Sequence, residues 1–334
     1  MQIKPFPQLE NIYPVAIPFP NDSHLISANS YAVGKRSVTL IDTGPKLPGI
    51  FTLLEKQLTL AGIKMSSIER ILITHGHIDH FGLAVEIQKA AGHPVEFLIH
   101  ADDSWKSSRE NLRAQMWSPE ADNFMAMAGV PEKAIETAKN RFNFFKAMCD
   151  PLESVSTMKD GDEIDGDGYQ LKIIHTPGHT AGSCCVYESG HKILFSGDHI
   201  IKHITPNPLV ELKRSHLKDP SYQSLKAYMK SLDKLAGLDV QYVFPGHGEY
   251  IEDLPVIISS YKTHYQQRMN LLWQALKSHP RPIYDLVDDI FPHMPRNDIF
   301  LAISDIVAHL EILINAGRVR IIDFGPPALY QSQN

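Results

Sequence analysis

The sequence predicts an α/β protein with two strand-rich halves, a helical insertion between them and a small helical module at the C-terminal end. Three observations carry this. Short β-forming runs bounded by turn residues fill the first third and recur over 169–198. Apolar residues at helical spacing occupy several of the intervals between them. Residues 101–150 carry helical spacing and no strand signal, so the chain is not a plain alternation of parallel βαβ units.

The elements follow in order. NIYPVAIPF, HLISANSYAV and SVTLIDTG read as strands, separated by Pro20-Asn21-Asp22 and Gly34-Lys35. Ile50, Leu53, Leu54 and Leu58 mark a helix within 47–63 that ends at Gly62. ERILIT (69–74) is a strand that runs into a histidine-rich turn. Residues 81–91 are helical and closed by Gly92, and VEFLIH (95–100) is a strand. The insertion, about 101–150, holds Trp105, Met116, Trp117, Met125, Met127 and Met148. Strands resume at YQLKIIHT, SCCVYE and KILFSGD, followed by a helix near 221–236 and a strand QYVF ending in PGHG. Beyond these lie a long helix over 255–278, shorter ones over 283–290 and 298–316, and a strand turn from Ala316 to Ile322. The division expected is a catalytic domain over 1–251 and a helical C-terminal domain over 252–334.

Composition narrows the class. The chain has 334 residues, 43% apolar and 21% charged, with a formal net charge of −6. That is ordinary for a globular protein and gives no general pull toward nucleic acid or anionic membranes. No apolar run approaches the roughly 18–20 residues of a membrane span. The first residues, MQIKPFPQLENIYPV, lack the unbroken apolar stretch of a signal peptide, so a cytoplasmic protein is expected. Cys149, Cys184 and Cys185 are too few and too badly spaced for a disulfide framework.

Seventeen histidines are the unusual feature. Four segments collect several of them with aspartates: Thr74-His75-Gly76-His77-Ile78-Asp79-His80, Thr176-Pro177-Gly178-His179-Thr180, Phe195-Ser196-Gly197-Asp198 and Pro245-Gly246-His247-Gly248. Each follows an expected strand and places a His or Asp on a turn that glycine makes accessible. One sheet edge can therefore present them all. Imidazole and carboxylate suit zinc and similar divalent ions. Five His and two Asp exceed the needs of one tetrahedral ion and suit two ions that share a carboxylate and a water. A water so bound ionises near neutral pH.

The series HxHxDH, TPGHT, SGD and PGHG resembles the metallo-β-lactamase fold hydrolases over roughly residues 10–250. The resemblance implies an αββα sandwich with a binuclear site at one edge. It implies that His75, His77 and His179 hold one metal, that Asp79, His80 and His247 hold the other, and that Asp198 bridges them. Asp42, in LIDTGP, matches a further turn of the family and reads either as a carboxylate orienting a ligand or as a turn former. Residues 306–319 resemble the winged-helix tail of one branch, which includes a β-lactamase-like ribonuclease group. The stretch from Gly197 to Pro208 resembles the GDH…ITPN segment of bacterial members labelled glyoxalase II-like. It places His199 and His203 near the site, as substrate contacts, proton donors or plain loop residues. The basic helical domain of glyoxalase II itself has no counterpart here.

The expected chemistry is attack by a metal-bridging hydroxide on a carboxylic thioester, ester or lactone, with Asp79 orienting the hydroxide or handling its proton. Zinc is the default metal, with iron or manganese as alternatives. Trp105 and Trp117 can line an apolar pocket for a bulky acyl group, although core packing is the ordinary fate of such residues. Two other functions remain in view. One is a metal-dependent ribonuclease or phosphodiesterase that uses the C-terminal module on nucleic acid. The other is a di-iron oxidoreductase or metal-binding scaffold. Residues 255–334 hold seven Lys/Arg and seven Asp/Glu, a balance that leans against nucleic acid and leaves room for a local patch. The partner expected is a small-molecule substrate, with no membrane, and the tail is expected either to pack on the catalytic domain or to form a homodimer interface.

Overall fold

The computed structural model describes residues 5–19, 25–113, 117–213, 217, 219, 221–295 and 298–333. The turn at Pro20-Asn21-Asp22 and Met116 lie outside them.

Two sheets stack face to face. The first has six strands in the order β1 (Ile12–Pro18), β2 (Ser27–Val33), β3 (Val38–Ile41), β4 (Ile68–Leu72), β5 (Glu96–His100) and β6 (Ser156–Met158). The pairings β1–β2 and β2–β3 are antiparallel, and those from β3 to β6 are parallel. The second sheet has the order β11-β10-β9-β8-β7, built from β7 (Glu163–Gly166), β8 (Tyr169–His175), β9 (Cys184–Glu188), β10 (Ile193–Gly197) and β11 (Tyr242–Pro245). Its pairings are antiparallel except β10–β11.

Strand alternation builds the layers. Tyr31, Val33, Ile41 and Leu72 face Leu171, Ile173, Val186 and Phe195 in a core between the sheets. On its outer face the first sheet packs Val38, Leu40 and Ile71 against α1 (Ile50–Leu60), Phe81 of α2 (Ile78–Phe81) and α3 (Ala84–Ala91). The helical spacing of Leu54 and Leu58 gives α1 its buried stripe. Gly92, at φ 77°, closes α3 in the left-handed conformation that glycine adopts without steric cost. Cys184 points into the inter-sheet core, whereas Cys185 points to the opposite face of β9, so the adjacent thiols do not pair.

The insertion is helical: α4 (Ala101–Ser104), α5 (Arg109–Arg113), α6 (Pro119–Met127) and α7 (Glu132–Lys146). After α8 (Ser224–Leu235) and β11 come α9 (Leu254–Ala275), α10 (Ile283–Ile290) and α11 (Ile299–Asn315). The antiparallel hairpin of β12 (Val319–Asp323) and β13 (Leu329–Ser332) completes the C-terminal module. The outer face of the second sheet packs on α8, α9 and Ala308 of α11, which closes the four-layer order helix, sheet, sheet, helix.

The insertion and the C-terminal helices share a fourth core. Trp117, Met125, Val130 and Ala138 pack with Leu272, Leu286, Ile303 and Leu310. Packing the two together removes both apolar faces from water. Among the described residues, no helix is long and apolar enough to cross a membrane.

Candidate metal centre

Strand direction brings the chemistry to one edge. β3 and β4 run parallel, so Asp42 and the turn 73–77 leave the first sheet at the same end. β8, β10 and β11 share a direction in the second sheet, because β9 is antiparallel to both β8 and β10. His179, Asp198 and His247 therefore emerge together at its edge. His77 is the N-cap of α2, and that short helix carries Asp79 and His80.

Two clusters of ligand type result. His75, His77, His179 and Asp198 form one, and Asp79, His80 and His247 form the other. Asp198 stands between them. Its Oδ1 lies 3.3 Å from His80 Nε2 and 3.2 Å from His247 Nε2. Its Oδ2 lies 3.7 Å from His179 Nε2 and 4.0 Å from His75 Nε2. His77 Nδ1 is 2.9 Å from His75 Nε2 and 3.1 Å from His179 Nε2. His247 Nε2 is 3.5 Å from Asp79 Oδ2.

The outward nitrogens are held by the fold. His80 Nδ1 lies 2.8 Å from Asp42 Oδ2, His179 Nδ1 lies 2.9 Å from Asn207 O, and His247 Nδ1 lies 2.7 Å from Ser27 O. Donation at each outer nitrogen leaves a lone pair on Nε2, directed inward. Asp42 also accepts from Thr74 N at 2.8 Å and Thr74 Oγ1 at 2.7 Å. Close approach needs glycine at Gly246, where a β-carbon would sit 2.6 Å from Asp198 Oδ1 and 2.7 Å from His80 Cε1. Gly178, at φ 144°, lies against Tyr228 and brings the His179 turn onto α8.

The residues fit divalent metal ions. His80 Nε2, His247 Nε2 and Asp198 Oδ1 are buried, face one another, and have no hydrogen-bond partner. Orphaned polar atoms of this kind are costly unless an ion or water meets them. Burial and neighbouring imidazoles push His75 and His77 well below the usual histidine range, and burial lowers His179. Neutral rings are the form that binds metal. Burial also disfavours the charged form of His80 and His247, but carboxylates led by Asp198 outweigh it and raise both. Asp198 is held well below the carboxylate range, with burial opposed by His247 and His80.

His199 is 1% exposed, stacks on Tyr228 at 4.4 Å, and has no partner for either ring nitrogen. Burial pushes it down to about 3. The His203 ring lies against Gly248, beside His247. Trp105 donates from Nε1 to Asp102 O, and the Lys106 and Lys213 ammonium groups lie 5.8 and 5.3 Å from its ring centroid. Trp117 is 5% exposed within the core shared with the C-terminal helices, where its ring meets Phe142 and Phe300.

Sequence reasoning missed the support behind the ligand turns. Asp103 is fully buried; its Oδ2 accepts from Gly76 N at 2.8 Å and Thr180 Oγ1 at 2.6 Å. Its Oδ1 meets Gly182 N at 3.1 Å and Lys106 Nζ at 2.9 Å. The carboxylate thus fastens the 75–77 turn to the 179–182 turn. Lys106 Nζ also lies 2.7 Å from Glu211 Oε1, which accepts from Ala181 N. The acid doublet Asp102-Asp103 was the available signal. A third group, His100, Asp102 and His175, has ligand atoms within 4.8 Å of one another, but its two rings stack in parallel at 3.9 Å.

The sandwich and its paired His/Asp clusters define a metal-dependent hydrolase. Residues 25–247 match the family model of the Metallo-beta-lactamase superfamily, and the chain belongs to that superfamily. It is 25% identical over 284 residues to the Bacillus subtilis (strain 168) protein named Probable metallo-hydrolase YqjP, covering 85% of this chain and 86% of that one. It is 24% identical over 302 residues to the Beta-lactamase-like protein 2 homolog of Caenorhabditis elegans, covering 90% and 83%. A solved metallo-beta-lactamase family protein from Thermus thermophilus superposes with a TM-score of 0.82 at 25% identity, over 97% of this chain and 99% of that one. A beta-lactamase domain protein from Burkholderia ambifaria shares the fold at a TM-score of 0.81 and 19% identity, over 98% and 94%.

Proposed function

We propose that this chain hydrolyses a small-molecule carboxylic thioester, ester or lactone with a bulky, partly apolar acyl group. The carrying observation is the Asp198 carboxylate, whose two oxygens face two separate clusters of metal-ligating type. His75, His77 and His179 would hold one divalent ion, Asp79, His80 and His247 the other, with Asp198 shared. Zinc is the proposed metal, since the donor set is nitrogen and oxygen and hydrolysis needs no redox change. Bound there, divalent ions polarise a carbonyl and make hydroxide available near neutral pH.

The protein's own groups do the rest. Asp42, Ser27 O and Asn207 O fix the orientation of three imidazoles. Asp103 fixes the spacing of the two turns that carry His75, His77 and His179. Asp79 Oδ2 lies 3.5 Å from His247 Nε2, and 20% of its side chain is exposed, so its carboxylate meets both the cluster and solvent. It is the group proposed to take and return the proton of the attacking water. The equal count of basic and acidic residues over 255–334 favours a small acyl substrate over a polyanion.

The test is initial rates of zinc-loaded protein on acyl thioesters, lactones, aryl esters, a phosphodiester and a short RNA. Asp79→Ala/His80→Ala serves as the blank. Turnover of acyl compounds above the blank supports the proposal. Cleavage of the phosphodiester or RNA alone overturns it.

A further inference from the structure

The segment Pro206-Asn207-Pro208-Leu209-Val210 runs beside His179 and holds both its ring and its backbone. Asn207 O lies 2.9 Å from His179 Nδ1, and Leu209 N donates to His179 O at 3.3 Å. The sequence makes this segment stiff. Proline fixes φ at 206 and 208, and a residue before proline is confined to extended backbone, so Asn207 has little torsional freedom. The position of Asn207 O therefore follows from where the carbonyls on either side of it are held.

Three helices hold this segment. Tyr265 of α9 donates its hydroxyl to Pro206 O at 2.8 Å. Ser224, which opens α8, donates to Pro208 O at 3.2 Å. Ser304 Oγ of α11 accepts from Val210 N at 2.7 Å. All three side chains are buried. The Tyr265 ring is wedged between Tyr228 of α8 and His309 of α11, with ring centroids at 5.6 and 5.7 Å. Tyr265 and Ser304 lie beyond residues 25–247, the part that matches the family model.

We infer that Tyr265 is a positioning residue for the metal centre: through the stiff Pro206-Asn207-Pro208 link it sets the carbonyl that orients His179. The C-terminal module thereby tunes the ion held by His75, His77 and His179 and not the one held by Asp79, His80 and His247. This rests on the two-ion reading above and not on the identity of the substrate. The selectivity follows from the connections. His80 and His247 take their outer partners from Asp42 and Ser27, which belong to the first sheet, whereas His179 takes its own from a segment fastened to the outer helices. An imidazole whose outer partner shifts turns its inner lone pair away from the ion.

The test is zinc titration of the metal-depleted full chain against a chromophoric chelator, with no substrate present. Tyr265→Phe removes only the hydroxyl and is expected to weaken one of the two dissociation constants by about tenfold, the lower end of the loss when support behind a metal-bound imidazole is removed. In His80→Ala, which disables the other cluster, Tyr265→Phe is expected to cost the same. In His179→Ala it is expected to cost nothing further. Leu272→Ala truncates a core residue of the same helix and should lower the melting temperature while leaving both constants unchanged. Wild-type constants in Tyr265→Phe, an equal loss in the His80→Ala and His179→Ala backgrounds, or an equal shift in Leu272→Ala overturns the inference and leaves the metal centre standing. A wild-type chain that takes up no zinc overturns the metal centre and the inference with it.

Discussion

Oδ2 of Asp42 lies 2.8 Å from Nδ1 of His80, across 38 residues of sequence. The same carboxylate takes both the N–H and the hydroxyl of Thr74, the residue before His75. One buried side chain thus ties the end of β3 to ligands of both clusters. Asp42→Ala leaves three buried donors without an acceptor. Zinc affinity is expected to fall by about 10–100-fold, read by competition with a chromophoric chelator. Asp42→Asn keeps a side chain that tolerates the left-handed backbone at φ 55° and is expected to lose less.

Gly246→Ala puts a methyl group against Asp198 Oδ1 and His80 Cε1. The backbone there also donates to Gly197 O and accepts from Asn29 N, so it has little room to retreat. The cluster of Asp79, His80 and His247 is expected to lose its ion first. Metal analysis of the purified variant should show about one ion per chain, against the two expected for the wild type from its paired clusters.

Asp103 sets an acid limit. Burial pushes its carboxyl up, but Lys106, the Thr180 hydroxyl and the Gly76 N–H outweigh that and hold it down to about 2, against 3.8 in an unfolded chain. A depressed carboxyl stabilises the fold fully above the unfolded value and ceases to do so as pH falls through the folded one. The melting temperature should therefore drop between about pH 4 and pH 2. Asp103→Asn should flatten that step and cost about 1–3 kcal/mol at neutral pH, because charge-assisted bonds to Lys106 and two N–H groups weaken. Melting curves across that window check both.

Removing metal should act on stability as well as rate. Without an ion, Asp198 Oδ1 and the His80 and His247 Nε2 atoms face one another unpaired. A ligand at 100 times its dissociation constant stabilises by about 2.7 kcal/mol. Dialysis against a chelator should lower the melting temperature and abolish hydrolysis, and zinc should restore both. Full activity after dialysis, with no metal left by elemental analysis, contradicts this.

The fold was legible where pattern and chemistry coincide. The long helix read over 255–278 is α9 at Leu254–Ala275, and that read over 298–316 is α11 at Ile299–Asn315. Strands with apolar residues at their buried positions, such as β4 and β10, were visible in the residues themselves. β6 and β7 were not, because Ser156–Met158 and Glu163–Gly166 are short and largely polar, and only pairing makes them strands. The His/Asp turns stood out because glycine and strand ends mark them. The buried Asp103–Lys106–Glu211 network carries only the acid doublet Asp102-Asp103 as a mark, with no glycine turn around it. Lys106 and Glu211 stand 105 residues apart, and such charges read as surface until the fold closes on them. The union of insertion and tail was equally hidden, since apolar spacing says that Trp117 and Leu310 are buried and not against what.

The most direct test of the account is the metal content and acyl-hydrolase rate of Asp198→Ala beside the wild type. Asp198 stands between both clusters, so the variant should lose metal and turnover together. An Asp198→Ala protein that keeps the wild-type metal content and cleaves acyl substrate at the wild-type rate would contradict a shared-carboxylate metal centre as the seat of catalysis.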